Sequence, residues 1–248
     1  MEDASRQILL ASLKELLQSG NYSDLTITCG QDIYKAHKVI ICSRTAFFAN
    51  AIRFPGKESK EATIDLPEDE PATIKLLMQY MYEGEYHPFH VETSKPSDKT
   101  ILQKQTAAHS CRDQNFCCEN YGNIRVCDHH FCGVQYRPKF NGTASQLLVH
   151  SKMYEIGERY DVQGLKELAK EKFRIACDEF WNTSDFPEAA YHAFSSTVAD
   201  DKGLRTIVCQ ILANHMELIN KEEIVALLME FNGLAYGLLK EKIIHGWK

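Results

Sequence analysis

Asp24-Leu25-Thr26-Ile27-Thr28-Cys29, then Gly30-Gln31-Asp32, then Ile33-Tyr34-Lys35-Ala36 and His37-Lys38-Val39-Ile40-Ile41-Cys42 form the stretch whose reading decides the fold. The first six residues alternate around β-branched and apolar side chains, the pattern of a strand with one covered face. Gly30-Gln31-Asp32 supplies turn chemistry, so Ile33 to Ala36 completes a hairpin. The apolar run His37 to Cys42 leads into a single expected helix over Ser43 to Ile52, which Pro55-Gly56 breaks. Ala62 to Leu66 reads as a short strand. Pro67-Glu68-Asp69-Glu70-Pro71 is a turn whose acids sit at the start of a helix over Ala72 to Tyr82. Upstream, Leu9, Leu13, Leu16 and Leu17 share one face of a helix over residues 4–18, stopped by Gly20.

Pattern is lost at Pro88 and resumes at Leu147. Helices are then expected over 147–160 and 165–176, joined by the corner Val162-Gln163-Gly164. Further helices follow, one capped by Ser184 or Asp185 with Pro187 in its first turn, then Leu204–His215, Lys221–Glu230 and Leu234–Ile244.

Several short blocks now stand in order: Ser23 to Ile27, Ala36 to Arg44, Phe47-Phe48, Glu58-Ser59, Ile64 to Pro67, and Met78 to Tyr86. Together they resemble a BTB/POZ domain. Met153 to Ala169 resembles its closing helix pair, and this stretch with Trp181 and Leu204-Arg205 resembles BTB proteins of filamentous fungi. The resemblance implies an α+β fold, a helical cluster flanking a small mixed sheet, interrupted by a long irregular insertion and extended by an all-α C-terminal region. The boundaries follow: 5–87 the first part of the domain, 88–146 the insertion, 147–177 the closing helices, and 178–248 the helical extension.

The implied role is protein–protein interaction, with no catalytic residues to carry over. Asp24 and Lys38 match family positions that share a charged pocket, or else form a structural ion pair. His37 matches a buried histidine that satisfies backbone hydrogen bonds. Phe47, Phe48, Phe54, Glu58 and Ser59 are the candidate partner-binding surface. Cullin-binding relatives carry a hydrophobic-x-Glu triplet, and here Glu58 matches the acid while Gly56 replaces the apolar anchor. Losing such an anchor removes about 1.5–3 kcal/mol of burial. A substrate adaptor of a cullin-type ubiquitin ligase is therefore the alternative reading. A helix starting near residue 4 leaves no room for the N-terminal strand that many family dimers exchange. A homodimer would use the Leu9/Leu13/Leu16 face, which core packing explains equally well.

The insertion holds five of the nine cysteines in the chain. Cys111, Cys117, Cys118, Cys127, His129, His130 and Cys132 offer thiolate and imidazole ligands for a structural zinc, although no cofactor is required by the domain itself. The spacing lacks a Cys-x-x-Cys pair, so solvated thiols in a loop are the competing reading. A Cys–His nucleophile there has no evident oxyanion donor.

The rest of the 248 residues is ordinary: 44% hydrophobic, 25% charged, formal net charge −6. This composition excludes collagen-like and wholly disordered chains. The acidic balance argues against nucleic acid as a partner, and no apolar run is long enough for a membrane helix. No Gly-rich phosphate loop or nucleophile elbow appears. The start Met1-Glu2-Asp3 lacks the basic opening of a signal peptide, so an intracellular protein, cytoplasmic or nuclear, is expected. The Asn-x-Ser/Thr triplets at Asn21, Asn141 and Asn182 are then chance matches.

Overall fold

The computed structural model describes residues 2–88 and 142–246, and all of these fall in one compact unit. The insertion expected over 88–146 therefore lies largely outside the described residues, as do all seven of its candidate zinc ligands.

The hairpin forms as the alternation dictates. Strand β1 (Leu25–Cys29) pairs antiparallel with β2 (Asp32–Ala36), with Leu25 opposite Ala36 and Cys29 opposite Asp32. Strand β3 (Thr63–Asp65) joins the other edge of β1 in parallel, giving the order β2-β1-β3 in a small mixed sheet. Leu25, Ile27 and Cys29 are buried, whereas Thr26 and Thr28 face outward. Thr28 hydroxyl donates to the Asp65 carboxylate at 2.6 Å, linking the parallel pair on the open face.

Helix α1 (Glu2–Ser19) packs its second half on α5 (Pro71–Glu83). Leu13, Leu16 and Leu17 are half-buried there, but Leu9 is exposed, so the expected leucine stripe divides between packing and solvent. Helix α5 is the central element. Pro71 stands at its first turn, Gly84 ends it in a left-handed conformation, and Ile74, Leu77, Met78, Tyr80, Met81 and Tyr82 are buried.

The single helix expected over Ser43–Ile52 is corrected to two, α2 (Lys38–Arg44) and α3 (Ala46–Arg53). Thr45 between them is extended and forms an antiparallel bridge with Val162. Its hydroxyl donates to the carbonyl of Tyr160, and Gln163 N–H donates to Arg44 C=O at 3.2 Å. Partners from the distant corner of the closing helices thus outcompete the local helix. A short helix, α4 (Lys57–Glu61), follows where only a break was expected, and Ala62 ends it in the left-handed region.

After the undescribed segment, α6 (Gln146–Arg159) and α7 (Leu165–Phe180) form the closing hairpin. Gly157 makes their close approach possible: a Cβ there would lie 3.0 Å from the Lys166 backbone nitrogen. Helices α8 (Asp185–Ser195), α9 (Leu204–Asn214), α10 (Glu222–Glu230) and α11 (Asn232–His245), with a 3₁₀ turn at Met216–Asn220, complete the all-helical C-terminal region. They continue the closing hairpin, since α8 packs on α6 and α9 on α7. Among the described residues, no helix is long and apolar enough to cross a membrane.

Candidate interaction site

The short helices α2, α3 and α4 carry the candidate partner surface, and the core behind them fixes its shape. Phe48 is 1% exposed and stacks on Tyr160 with ring centroids 5.3 Å apart. It is corrected from surface to core: consecutive residues on a helix point about 100° apart, so Phe47 and Phe48 cannot share one face. Phe47 stays partly exposed while its inner edge meets Phe48 and Tyr160. Phe54, at the end of α3, is 65% exposed, and Val39 on α2 is also open. Glu58 is exposed and Ser59 half-buried on α4. Gly56 precedes them in extended backbone, and a Cβ added there would meet the Glu58 carboxylate tip at 2.9 Å, with the Phe54 carbonyl at 4.0 Å.

Asp24 and Lys38 meet through the main chain. The Asp24 carboxylate accepts the Lys38 backbone N–H at 2.7 Å, satisfying one of the open donors at the start of α2. Cys42, on the same helix as Lys38, feels both charges. Burial and the Asp24 charge push its thiol up, against an opposing pull from Lys38. Burial also raises Cys29, Cys177 and Cys209, the last to about 11, so these thiols stay protonated near neutral pH.

His37 is buried between α2 and α5. Its Nε2 lies 2.7 Å from the Asn21 carbonyl, an acceptor only, which places the ring proton on Nε2. Nδ1 then accepts the Tyr82 hydroxyl at 2.7 Å, and the same oxygen accepts the His37 backbone N–H at 3.0 Å. Arg44 donates to the Tyr80 and Met81 carbonyls at 3.1 and 2.9 Å, and its guanidinium sits over the Tyr80 ring. Tyr80 in turn donates to Gln163 C=O at 2.8 Å. Each of these polar groups ties the surface helices to α5 or to the closing hairpin.

Sequence reasoning missed a second polar cluster, in a cleft of about 260 Å³ between the Glu68-Asp69-Glu70 turn, α6 and α8. Arg159 pairs with Asp69 at 2.8 Å and also with Glu155, whose other oxygen lies 3.1 Å from His192 Nε2. The Tyr160 hydroxyl donates to Asp69. Lys152 reaches Glu70 at 2.7 Å. Hydrogen bonds from His192 and Arg159 hold Glu155 below the usual carboxylate range, and the Lys152 contact does the same for Glu70. Glu155 and Arg159 stand four apart on one helix, which is the one local signal for this network. Lys152 and Arg159 pair with three of the four acids, Asp69, Glu70 and Glu155, so the cleft behaves as a tie between turn and helices.

A model of the BTB/POZ domain family matches residues 13–113. The chain carries a BTB/POZ domain. Residues 13–88 of that match hold β1 to β3 and most of the α1 to α5 framework just described. Two curated relatives agree. A "BTB/POZ domain-containing protein 1" of Schizosaccharomyces pombe is 27% identical over 109 residues, 39% of this chain and 8% of that protein. A "BTB/POZ and MATH domain-containing protein 3" of Arabidopsis thaliana is 28% identical over 104 residues, 41% of this chain and 26% of the relative. The chain thus aligns with only a minor share of each relative's length. BTB/POZ domains are protein–protein interaction modules, and that general role is the BTB domain's here.

Proposed function

We propose that this BTB protein is a non-enzymatic intracellular adaptor or scaffold that docks a protein partner on the α2–α4 surface, with α8–α11 extending the platform. The observation that carries this reading is Phe54, a large apolar side chain 65% exposed at the end of α3, beside a tightly packed Phe48–Tyr160 core. Exposed aromatics on a rigid base are the usual anchors of interfaces. The buried histidines and tyrosines of the framework support a structural role for the polar groups, since they bridge one element to the next. The affinity to filamentous-fungal BTB proteins belongs to the same proposal.

Affinity purification of the tagged chain tests it, compared with Phe54→Glu and with a form lacking residues 88–146. Proteins held by the wild type and lost from Phe54→Glu are expected. An identical set on the wild type and the Phe54→Glu form refutes the surface, and the deletion shows whether the insertion selects among partners.

Adaptor function in a cullin-type ubiquitin ligase is the second reading, favoured by the exposed Glu58 on α4. Gly56 weakens it, because the anchor position two residues before that acid carries no side chain. Absence of binding to a cullin N-terminal domain at tens of micromolar rejects this reading. Organisation of the insertion by zinc is compatible with either, because its thiols and imidazoles form a suitable donor set.

A further inference from the structure

Helix α11 is apolar on two opposite sides. Leu234 and Leu238 are buried on the side that packs against α9. Gly237 permits that approach, since a Cβ there would lie 2.5 Å from Cys209 Sγ. On the other side, Tyr236, Leu239 and Ile243 are 70%, 47% and 69% exposed, with Ile244 beside them at 60%. Surface helices ordinarily turn a polar face to water, and a helix apolar all round is one covered on both sides. Helices α9 and α10 pack against α11, and Tyr236, Leu239 and Ile243 stay open to solvent within the described residues.

We propose that the outer face of α11 is a self-association surface, occupied by the same helix of a second copy of this chain. Three features point to a second copy. Tyr236 and Ile243 stand seven residues apart with Leu239 between them, the spacing of the seam by which two helices interlock. A short seam of this kind is matched in length and character by its own symmetry mate, which gives a closed dimer. The exposed fractions of the four side chains leave on the order of 500 Å² of apolar surface per chain, above half of the roughly 800 Å² per partner in a stable interface. Flanking Asn232, Gly233, Ala235 and Lys240 are exposed and widen the patch, and Gly233 and Ala235 present no bulk to hold the helices apart. This surface is remote in sequence from the α1 leucines, so it is a separate prediction from a dimer built on α1.

Sedimentation of the full chain up to about 100 µM tests it, against the 28.3 kDa of one copy. The wild type is expected to rise to at least twice that mass, and Leu239→Glu/Ile243→Glu to halve the mass reached. Both side chains are exposed, so the variant should keep the wild-type far-UV circular dichroism. An Ile8→Glu/Leu9→Glu variant on α1 serves as the control and should keep the α11-dependent association. A wild type that stays at one copy overturns the proposal. So does an α11 variant with unchanged mass, or a fall in mass confined to the α1 variant.

Discussion

Replacement of Asp201 by alanine tests whether the C-terminal helices and the BTB closing hairpin are one cooperative body. The Asp201 side chain is 8% exposed and sits ahead of α9. One carboxylate oxygen accepts the Tyr154 hydroxyl from α6 at 2.7 Å and the Gly203 N–H at 2.7 Å, and the other pairs with Lys166 of α7 at 2.9 Å. Removing it strands a hydroxyl and a helix-start N–H and breaks a partly buried ion pair. Each lost charge-assisted hydrogen bond costs about 1.5–3 kcal/mol, and the three are not additive, so about 3–4 kcal/mol is expected in total. Asparagine keeps the acceptor for Tyr154 and Gly203 and loses the charge, so about 1–2 kcal/mol is expected. For a protein of this size the alanine change lowers Tm by on the order of 10 °C. Urea and thermal unfolding followed by circular dichroism measure both variants. One transition, displaced as a whole and further for alanine than asparagine, is the expected result. A loss under about 0.5 kcal/mol, or a second transition moving alone, refutes the reasoning.

The same residue predicts a pH dependence. Burial works against the Asp201 charge, but the hydrogen bonds from Lys166, Tyr154 and Gly203 outweigh it and hold the carboxyl below its usual 3.8. The folded state therefore binds this proton less readily than the unfolded chain. Its contribution is complete above pH 3.8 and is lost as pH falls through the folded value. The stability gap between wild type and Asp201→Asn should stay level from pH 7 to about 5 and close only in stronger acid.

His150 gives a different window. Burial, with the nearby Lys172, lowers it from 6.5 to about 3, and it meets the Tyr86 hydroxyl at 2.9 Å. Relative to His150→Gln, the wild type should lose about 1.4 kcal/mol per pH unit below 6.5, and an unchanged difference between pH 7 and 4.5 contradicts the buried neutral ring. Gly157→Ala should destabilise by about 1–3 kcal/mol in urea unfolding, because its Cβ meets the Lys166 backbone rather than a movable side chain. Elemental analysis of protein purified without added metal decides between a structural zinc and solvated thiols in the insertion: about one zinc per chain supports the site, and less than about 0.2 per chain rejects it.

How far the sequence reaches depends on where the deciding partner lies. The β1–β2 hairpin was legible because alternation and turn chemistry act within a dozen residues. The break at Thr45 was not, because the groups that hold it, Tyr160 C=O and Val162, come from the far side of the insertion. Helix α4 was hidden by its length of five residues and by Pro55-Gly56 before it. At the site, residue type put Phe47, Phe48 and Phe54 together as surface candidates, and only the phase of the helix divides buried Phe48 from exposed Phe47 and Phe54. The Asp69–Arg159–Glu155–His192 network joins a turn to two later helices, and only its Glu155–Arg159 step has a sequence period.

These distant ties also explain how a weakly apolar surface can act as a docking platform. The segment bearing Phe47 and Phe54 lies on helices of eight residues or fewer, too short to hold their own conformation in water. Arg44 on the α5 carbonyls, Thr45 on Tyr160 and the stacked Phe48 fix those helices before any partner arrives. A surface ordered in advance loses less conformational entropy on binding, so its few exposed aromatics can carry more of the affinity. Thr45→Val separates the two effects: it keeps side-chain volume but removes the hydroxyl donor to Tyr160. If preorganisation matters, this variant should weaken partner binding although Thr45 is itself buried. Unchanged binding, with the expected loss of stability, would assign Thr45 to folding alone.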